Sequence, residues 1–353
     1  MRPATTAPIL LAAGIALVGC RSDAGSAGAL GLLPEPAPRT ARVDSDGTAL
    51  PLSLPGSAYD AAGVVQLPDV APTDYPSIAH VYALSDSIVT GGEPLDPEAL
   101  FQVAEWGVKT ILSVDGKVPD AETARALGMR YVHVPVRYKG FTDEELLKIT
   151  KVFRELEGPF YVHCFHGKHR GPAAAAIGRI AIDGLGRERA IAEMREWCGT
   201  AQKYEGLYRT VATAEIPTAA DTAAFDYDFA EAHEHGALRE TMIELMRVYD
   251  EIDLVAQPAG WSVDPAHPDI DALQSATQIA QLLRACDGRS NEVPEAGADY
   301  DEMMADSISA ADVLVAQLTD GRAEGAPEPA KLDAAFAEVK ATCRECHTLY
   351  RNR

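Results

Sequence analysis

Two folded domains follow one another in this sequence: an α/β domain with a central, mostly parallel sheet flanked by helices, then an all-α four-helix bundle. Three observations predict this. Between Tyr75 and about Ala214, short apolar runs alternate with stretches of helical period, the pattern of a parallel sheet covered by helices. At Ile216-Pro217-Thr218 the strand pattern stops and does not return. Four amphipathic stretches then follow, separated by Pro, Gly and Asp clusters, as in an antiparallel bundle with polar loops. A length of 353 residues suits two ordinary domains.

The chain opens on a targeting segment, residues 1–20. Arg2 supplies a weak positive start, and Ala7 to Val18 is apolar but too short for a permanent span. It ends in Leu17-Val18-Gly19-Cys20, which resembles the lipobox of bacterial lipoproteins. That resemblance implies diacylglycerol on the Cys20 thiol and a lipid anchor to the periplasmic side of the inner or outer membrane. An ordinary secretory signal is the rival reading, and either one places the mature chain outside the cytoplasm. Residues 21–74, rich in Ala, Gly, Pro, Ser and Leu without period, read as a tether.

In the α/β domain, residues 75–215, His80 to Leu84 and Ser87 to Thr90 read as two strands around an Asp-containing turn. Pro97 to Trp106 is predicted helical, Lys109 to Val114 a strand, Asp120 to Leu127 a helix and Tyr131 to Val136 a strand. Thr142 to Leu156 is an amphipathic helix, Phe160 to His163 a strand, and an Ala-rich helix starts near Pro172. In the second domain, residues 222–353, the helices are predicted at about Asp228 to Leu254, Ile270 to Cys286, Tyr300 to Leu318 and Pro329 to Tyr350. Met242, Leu245, Met246 and Tyr249 form an apolar stripe on the first, which by itself is ordinary core.

With 53 Asp plus Glu against 31 Lys plus Arg, the formal charge is -22. Nucleic acid and anionic membrane surfaces repel such a chain, which argues against both as partners. An exported chain with six cysteines would ordinarily carry disulfides. Here Cys20, Cys164, Cys343 and Cys346 all fall in other motifs, leaving Cys198 and Cys286 as buried thiols in different domains.

Cys343-Arg344-Glu345-Cys346-His347 is a C-x-x-C-H sequence. Two thiols one helical turn apart reach the two vinyl groups of a single haem, and the adjacent histidine lies under the iron as its axial ligand. The sequence therefore predicts one covalent haem c, attached through Cys343 and Cys346 and ligated by His347. Its position on the closing helix, Phe336 through Arg351, resembles the cytochrome c′ (class II cytochrome c) family, from roughly Phe225 to Arg353. The resemblance implies Ile243 as the apolar distal residue and Arg239 near a propionate. An apolar distal side leaves the iron open to small gases, whereas Met242 or Met246 swung onto it would suit electron transfer with a redox partner.

His163-Cys164-Phe165-His166-Gly167-Lys168-His169-Arg170 matches H-C-x-x-G-x-x-R. A five-residue loop between a strand and a helix N-terminus aims backbone N–H groups and the helix dipole at one anion site. Cys164 at the floor of that loop is favoured as thiolate and can act as nucleophile, and Arg170 can grip two phosphoryl oxygens. Gly167 permits the tight loop, and Pro172 suits a first helical turn. With Ser87-Ile88-Val89-Thr90-Gly91-Gly92-Glu93-Pro94 upstream, this signature resembles the protein tyrosine and dual-specificity phosphatases over about Tyr75 to Ala214.

The resemblance implies a phosphoric monoester hydrolase acting on a phosphorylated protein or small molecule through a cysteinyl-phosphate. Three departures stand out. Gly171 replaces the hydroxyl residue that usually follows the arginine. Arg137 and Tyr138 stand where the general-acid Asp is expected, leaving Asp115 as the preferred acid and Asp143 as its alternative. His166, Lys168 and His169 make the substrate-binding loop strongly basic, suited to a polyanion such as an inositol phosphate. The expected function is thus an extracytoplasmic cysteine-dependent phosphatase fused to a haem domain that senses redox state or a gas. The main alternative is a haem electron-transfer or gas-binding protein whose phosphatase-like domain only binds an anion. A third reading is a reductase or sulfur-transfer enzyme using Cys164.

Overall fold

The computed structural model describes residues 47–63, 65–233, 236–293, 296–323 and 328–350; the expected signal segment, Cys20 and the expected tether as far as residue 46 lie outside the described residues. Six strands form one sheet: β1 (Thr73–Tyr75), β2 (Ile78–Ala83), β3 (Ile88–Gly91), β4 (Thr110–Ser113), β5 (Arg130–His133) and β6 (Phe160–His163), in the order β1-β2-β3-β6-β4-β5. β3, β6, β4 and β5 run parallel, while β1 and β2 are antiparallel additions at one edge. Every residue of β3, β4 and β6 is buried, which is why they read as continuous apolar runs: a parallel sheet is covered on both faces. The parallel pairing sets Gly91 and Ser113 level with His163, and His133 level with Ser113. Four strands therefore end along one line.

The intervening helices start where their caps dictate. α1 (Pro97–Glu105) has Asp96 accepting from the Ala99 N–H at 2.8 Å, with proline at its start. α2 (Ala121–Ala126) is capped by Asp120, and α3 (Asp143–Glu155) by a reciprocal box between Thr142 and Glu145. α4 (Arg170–Ile182) packs against β3, β6 and α3. Its small residues are necessary there: a Cβ at Gly178 would lie 2.6 Å from the Phe153 ring. Three shorter helices, α5 (Arg187–Ala192), α6 (Glu205–Thr213) and α7 (Ala219–Ala224), complete this part.

The tether expected to reach residue 74 ends earlier. Ala49, Ala58 and Ala62 are buried in the same core. The Leu52 N–H donates to the Ala212 carbonyl at 2.8 Å, Arg187 Nε to the Ala49 carbonyl at 2.8 Å, and Trp197 Nε1 to the Pro68 carbonyl at 2.9 Å. The α/β domain thus begins by Gly47. Its first segment is held by scattered small apolar residues and backbone hydrogen bonds, which leave no periodic pattern to read.

Four helices follow: α8 (Leu238–Glu251), α9 (Ala272–Cys286), α10 (Ala298–Ala323) and α11 (Pro329–Tyr350). Successive helices pack on one another and share a core that includes Leu245, Val248, Ile279, Leu283, Leu314, Phe336 and Val339. α8 starts ten residues after the expected Asp228. In place of a helix, the chain there lies against β5, with the His133 N–H donating to the Ala230 carbonyl at 2.9 Å. Phe229 sits under Arg130, 5.1 Å from the guanidinium carbon. Among the described residues no helix is long and apolar enough to cross a membrane.

Candidate active site

Between the end of β6 and the start of α4, residues 164–169 form a loop with Cys164 at its floor, 2% exposed. Gly167 has φ +70°, and a Cβ there would lie 2.3 Å from the Gly91 carbonyl carbon and 2.5 Å from the Gly92 nitrogen. Only glycine allows that approach. The Glu93 N–H donates to the Phe165 carbonyl at 3.0 Å, and Thr200 Oγ1 to the Lys168 carbonyl at 2.6 Å. The Gly-Gly turn after β3 and the cysteine loop, distant in sequence, therefore form one structure. Gly171 also has a steric role: its Cβ would approach the Cys164 nitrogen to 3.0 Å.

Arg170 leaves the loop with its guanidinium over the Tyr138 ring, 4.6 Å from the centroid. Its Nη2 donates to Asp115 Oδ2 at 2.6 Å, while its Nε is buried without a hydrogen-bond partner. Asp115 follows β4 and is 1% exposed. Its Oδ2 also accepts from the Phe165 N–H at 3.2 Å; Oδ1 accepts from the Lys117 N–H at 3.0 Å and from Gln274 Nε2 at 2.5 Å. Burial alone would raise the Asp115 pKa, but the Arg170 guanidinium and the Lys117 and Phe165 N–H groups hold it below the usual carboxylate value. His133 supports the same residue from behind. Its Nδ1 accepts from the His233 N–H at 3.0 Å, so Nε2 carries the proton donated to the Asp115 carbonyl at 2.8 Å.

The structure brings Cys164, Gly167, Arg170 and Asp115 together, but it leaves Asp115 as a carboxylate bound to Arg170 rather than as a proton donor. Asp143 stands exposed in the first turn of α3. The loop is also less cationic than its sequence suggests. His169 is 6% exposed, packed against Tyr204 with ring centroids 4.5 Å apart, and burial pushes its pKa down to about 4. Burial likewise lowers His166. Lys168 is exposed, and the carboxylates of Asp269 and Asp271 act on the two histidines from beyond the loop.

Sequence reasoning missed Tyr138 as a platform for Arg170 and Gln274 as a donor to Asp115, because contacts between residues far apart in the chain have no local signal. Arg137, Tyr138, Phe165, Arg170, Glu251 and Gln274 line part of a cleft of about 1030 Å³ between the sheet's C-terminal end and the helical region.

The neutral histidines carry a stability consequence. His163 is fully buried and pushed down to about 3, with its Nε2 2.5 Å from Tyr131 Oη. Both His163 and His169 must take up a proton on unfolding below the unfolded value of about 6.5. Their contribution is complete above that pH and falls as pH drops towards 4, by about 1.4 kcal/mol per pH unit for each. The expected result is a thermal midpoint that declines steadily from pH 6.5 to pH 4, with a shallower decline in His169→Phe; a flat profile would contradict it.

Cys343, Cys346 and His347 lie on α11, with Cys346 buried and Cys343 and His347 half-buried. Met242, Leu245 and Tyr249 of α8 pack against the same helical core. Ile243, expected on the distal side, is 47% exposed and lines the cleft instead, and Arg239 is exposed. The correction is a rotation of about 100° around α8, one residue's step. Met246 is 40% exposed, leaving Met242 as the methionine on the core side. The two thiols and the imidazole are a donor set that fits a covalent haem. Tyr300 Oη, against the Tyr350 ring in the same core, is buried without a hydrogen-bond partner. Cys198 and Cys286 are unbridged, buried thiols in separate cores.

No family model matches the chain. Over 122 residues, 34% of its length, it is 29% identical to the dual specificity protein phosphatase TpbA of Pseudomonas aeruginosa strain UCBPP-PA14, of which 55% is covered. The crystal structure of P. aeruginosa TpbA covers 42% of this chain and 92% of its own, at 26% identity and a TM-score of 0.36. A TpbA variant in complex with pTyr gives 23% identity, 41% and 99% coverage and a TM-score of 0.33. The chain spans about half the length of the curated relatives it matches. Over about a third of its length the chain is thus similar in sequence to the dual specificity protein phosphatase TpbA.

Proposed function

We propose that this chain is an extracytoplasmic cysteine-dependent phosphatase fused to a c-type haem domain and anchored through a lipid on Cys20. The carrying observation is Arg170, the residue that ends the Cys164 loop: one guanidinium nitrogen is fixed on Asp115, while its buried Nε has no hydrogen-bond partner. A phosphoryl oxygen supplies the missing acceptor.

The Cys164 sulfur forms a bond to phosphorus as the ester P–O bond breaks, and the leaving oxygen takes a proton. Water then cleaves the S–P bond, releasing inorganic phosphate and restoring the thiolate. Arg170 and the loop N–H groups hold the equatorial oxygens throughout. With Asp115 bound to Arg170, the leaving group is protonated from solvent, which favours aryl esters such as phosphotyrosine. Neutral His166 and His169, faced by Asp269 and Asp271, favour a phosphomonoester over a polyanion such as an inositol phosphate. The test is hydrolysis of an aryl phosphate, a phosphotyrosine peptide and an inositol polyphosphate by the full chain, with acid quench to trap the cysteinyl-phosphate. Turnover of the first two with a labelled Cys164 is expected; no turnover of any ester over a wide pH range would refute the enzymatic reading.

In the helical region, a four-helix bundle of cytochrome c′ type, Cys343 and Cys346 would hold the haem and His347 its iron. Bound haem supplies a one-electron couple or a site for a small gas. Chain exported through a cytochrome-maturation pathway is expected to carry one haem in the pyridine haemochrome assay. C343A/C346A is expected to retain none through denaturing electrophoresis. A wild-type chain without covalent haem under those conditions would overturn this half.

A second reading, a haem electron-transfer or gas-binding protein with a non-catalytic anion site, is favoured by one specific observation. Neither the hydroxyl absent at Gly171 nor a free acid at Asp115 is available to complete turnover. Wild type that binds phosphate without hydrolysing any ester would support it.

A further inference from the structure

We infer that Gln274, on α9 of the helical region, is a positioning residue for the phosphoryl grip of Arg170. The inference deepens the phosphatase reading and rests on it. The phosphatase-like domain does not complete its own oxyanion site. Asp115 Oδ2 holds both the Arg170 guanidinium and the Phe165 N–H of the loop, so the orientation of this carboxylate sets the arginine and the loop together. Its Oδ1 is fixed by the Lys117 N–H and, at 2.5 Å, by the Gln274 side-chain amide, with Gln278 Nε2 at 3.5 Å.

Gln274 is itself held. It is 7% exposed, and its backbone N–H donates to the Asp271 carboxylate at 2.9 Å. Asp271 is bound in turn by Arg322 of α10. A buried side chain on a buried carboxylate has little freedom, and an amide donor to a charged acceptor is among the stronger hydrogen bonds. Displacing α9 therefore leaves Oδ1 on the Lys117 N–H alone, gives the Asp115 carboxylate freedom to rotate and loosens Arg170. The helical region acts on phosphate affinity through one amide, without touching the reacting atoms.

The test uses the full chain and reads tungstate affinity by calorimetry together with kcat and KM for an aryl phosphate. Gln274→Leu, close in size but without the amide, is expected to weaken tungstate binding and raise KM by about tenfold, with kcat changed less. Gln281→Ala is the docking control. Gln281, on the same helix, accepts from the Val118 N–H at 3.0 Å through its Oε1 and makes no hydrogen bond to Asp115, so this variant is expected to keep both values.

Gln274→Glu sets a carboxylate against Oδ1 and is expected to be weaker than Gln274→Leu at neutral pH. It should recover towards acid pH as the new carboxyl gains a proton to donate. Asp115, Arg170, His163, His166, Glu93, Lys117, Glu251 and Asp271, the charged or titratable groups around that point, are common to all variants. The wild-type profile is therefore the baseline.

Unchanged tungstate affinity and KM in Gln274→Leu, an equal loss in Gln281→Ala, or no acid recovery in Gln274→Glu would overturn the inference. If wild type binds tungstate but hydrolyses nothing, the phosphatase reading alone fails, and the tungstate series still decides the role of Gln274. If wild type binds no tungstate, both fall.

Discussion

Cys164→Ser is expected to lower aryl phosphate turnover by at least about three orders of magnitude while leaving tungstate binding near the wild-type value. The two halves of this result have different causes. In the proposed mechanism anion binding comes from the loop N–H groups, the start of α4 and Arg170, none of which uses the sulfur. Serine is smaller than cysteine, so a loop held by Gly91, Gly92 and Thr200 keeps its shape. Turnover needs a sulfur nucleophile, and a serine hydroxyl at the same point attacks phosphorus far less readily. Calorimetry with tungstate and steady-state hydrolysis on the same preparation check both halves. A serine variant that keeps its turnover would remove Cys164 from the chemistry.

Asp115→Asn is the second large effect, and it separates two roles for that residue. As the partner of Arg170, its loss leaves a buried guanidinium without a counter-charge, a destabilisation of about 3 kcal/mol or more. It is also expected to lower turnover for every ester alike, because in the proposed mechanism Arg170 grips the phosphoryl group and not the leaving group. As a general acid, its loss would spare esters with acidic leaving groups and damage those with basic ones. A series of aryl and alkyl phosphates distinguishes the two. The geometry, with Asp115 at 2.6 Å from Arg170 and accepting from a second loop group, gives the first outcome. An unchanged dependence of rate on leaving-group basicity is the expected signature.

Much of the α/β domain was legible because its strands are short buried runs bounded by turns: Phe160 to His163 was read to the residue, and Lys109 to Val114 to within one at each end. The position of Asp115 was legible too, since strand ends in such a sheet face the ligand crevice. Its role was not, because a strand-end carboxylate reads the same whether it meets a proton or a guanidinium. Residues 47–72 gave no period, and their burial rests on isolated contacts such as Ala49 under Arg187. Ile243 was placed by analogy along one helix. A helix's rotation about its axis is set by its neighbours, here α9 and the Tyr249–Phe336 contact at 5.2 Å. The basic loop misled for a general reason: histidine is counted by type in a sequence, but its charge belongs to its surroundings.

The chain that runs beside β5 bears on where the two halves can be separated. β5 is the last strand of the sheet, with its outer N–H and C=O groups facing away from β4. The His133 N–H finds its acceptor on Ala230, and His233 closes over the same point through His133 Nδ1. A fragment ending at Ala214, where the sequence pattern breaks, would strip that cover and present a bare strand edge, the kind of surface on which a second copy adds its own strand and aggregates. A fragment carried through His233 keeps the edge closed. The first residues past the break thus serve the domain they follow.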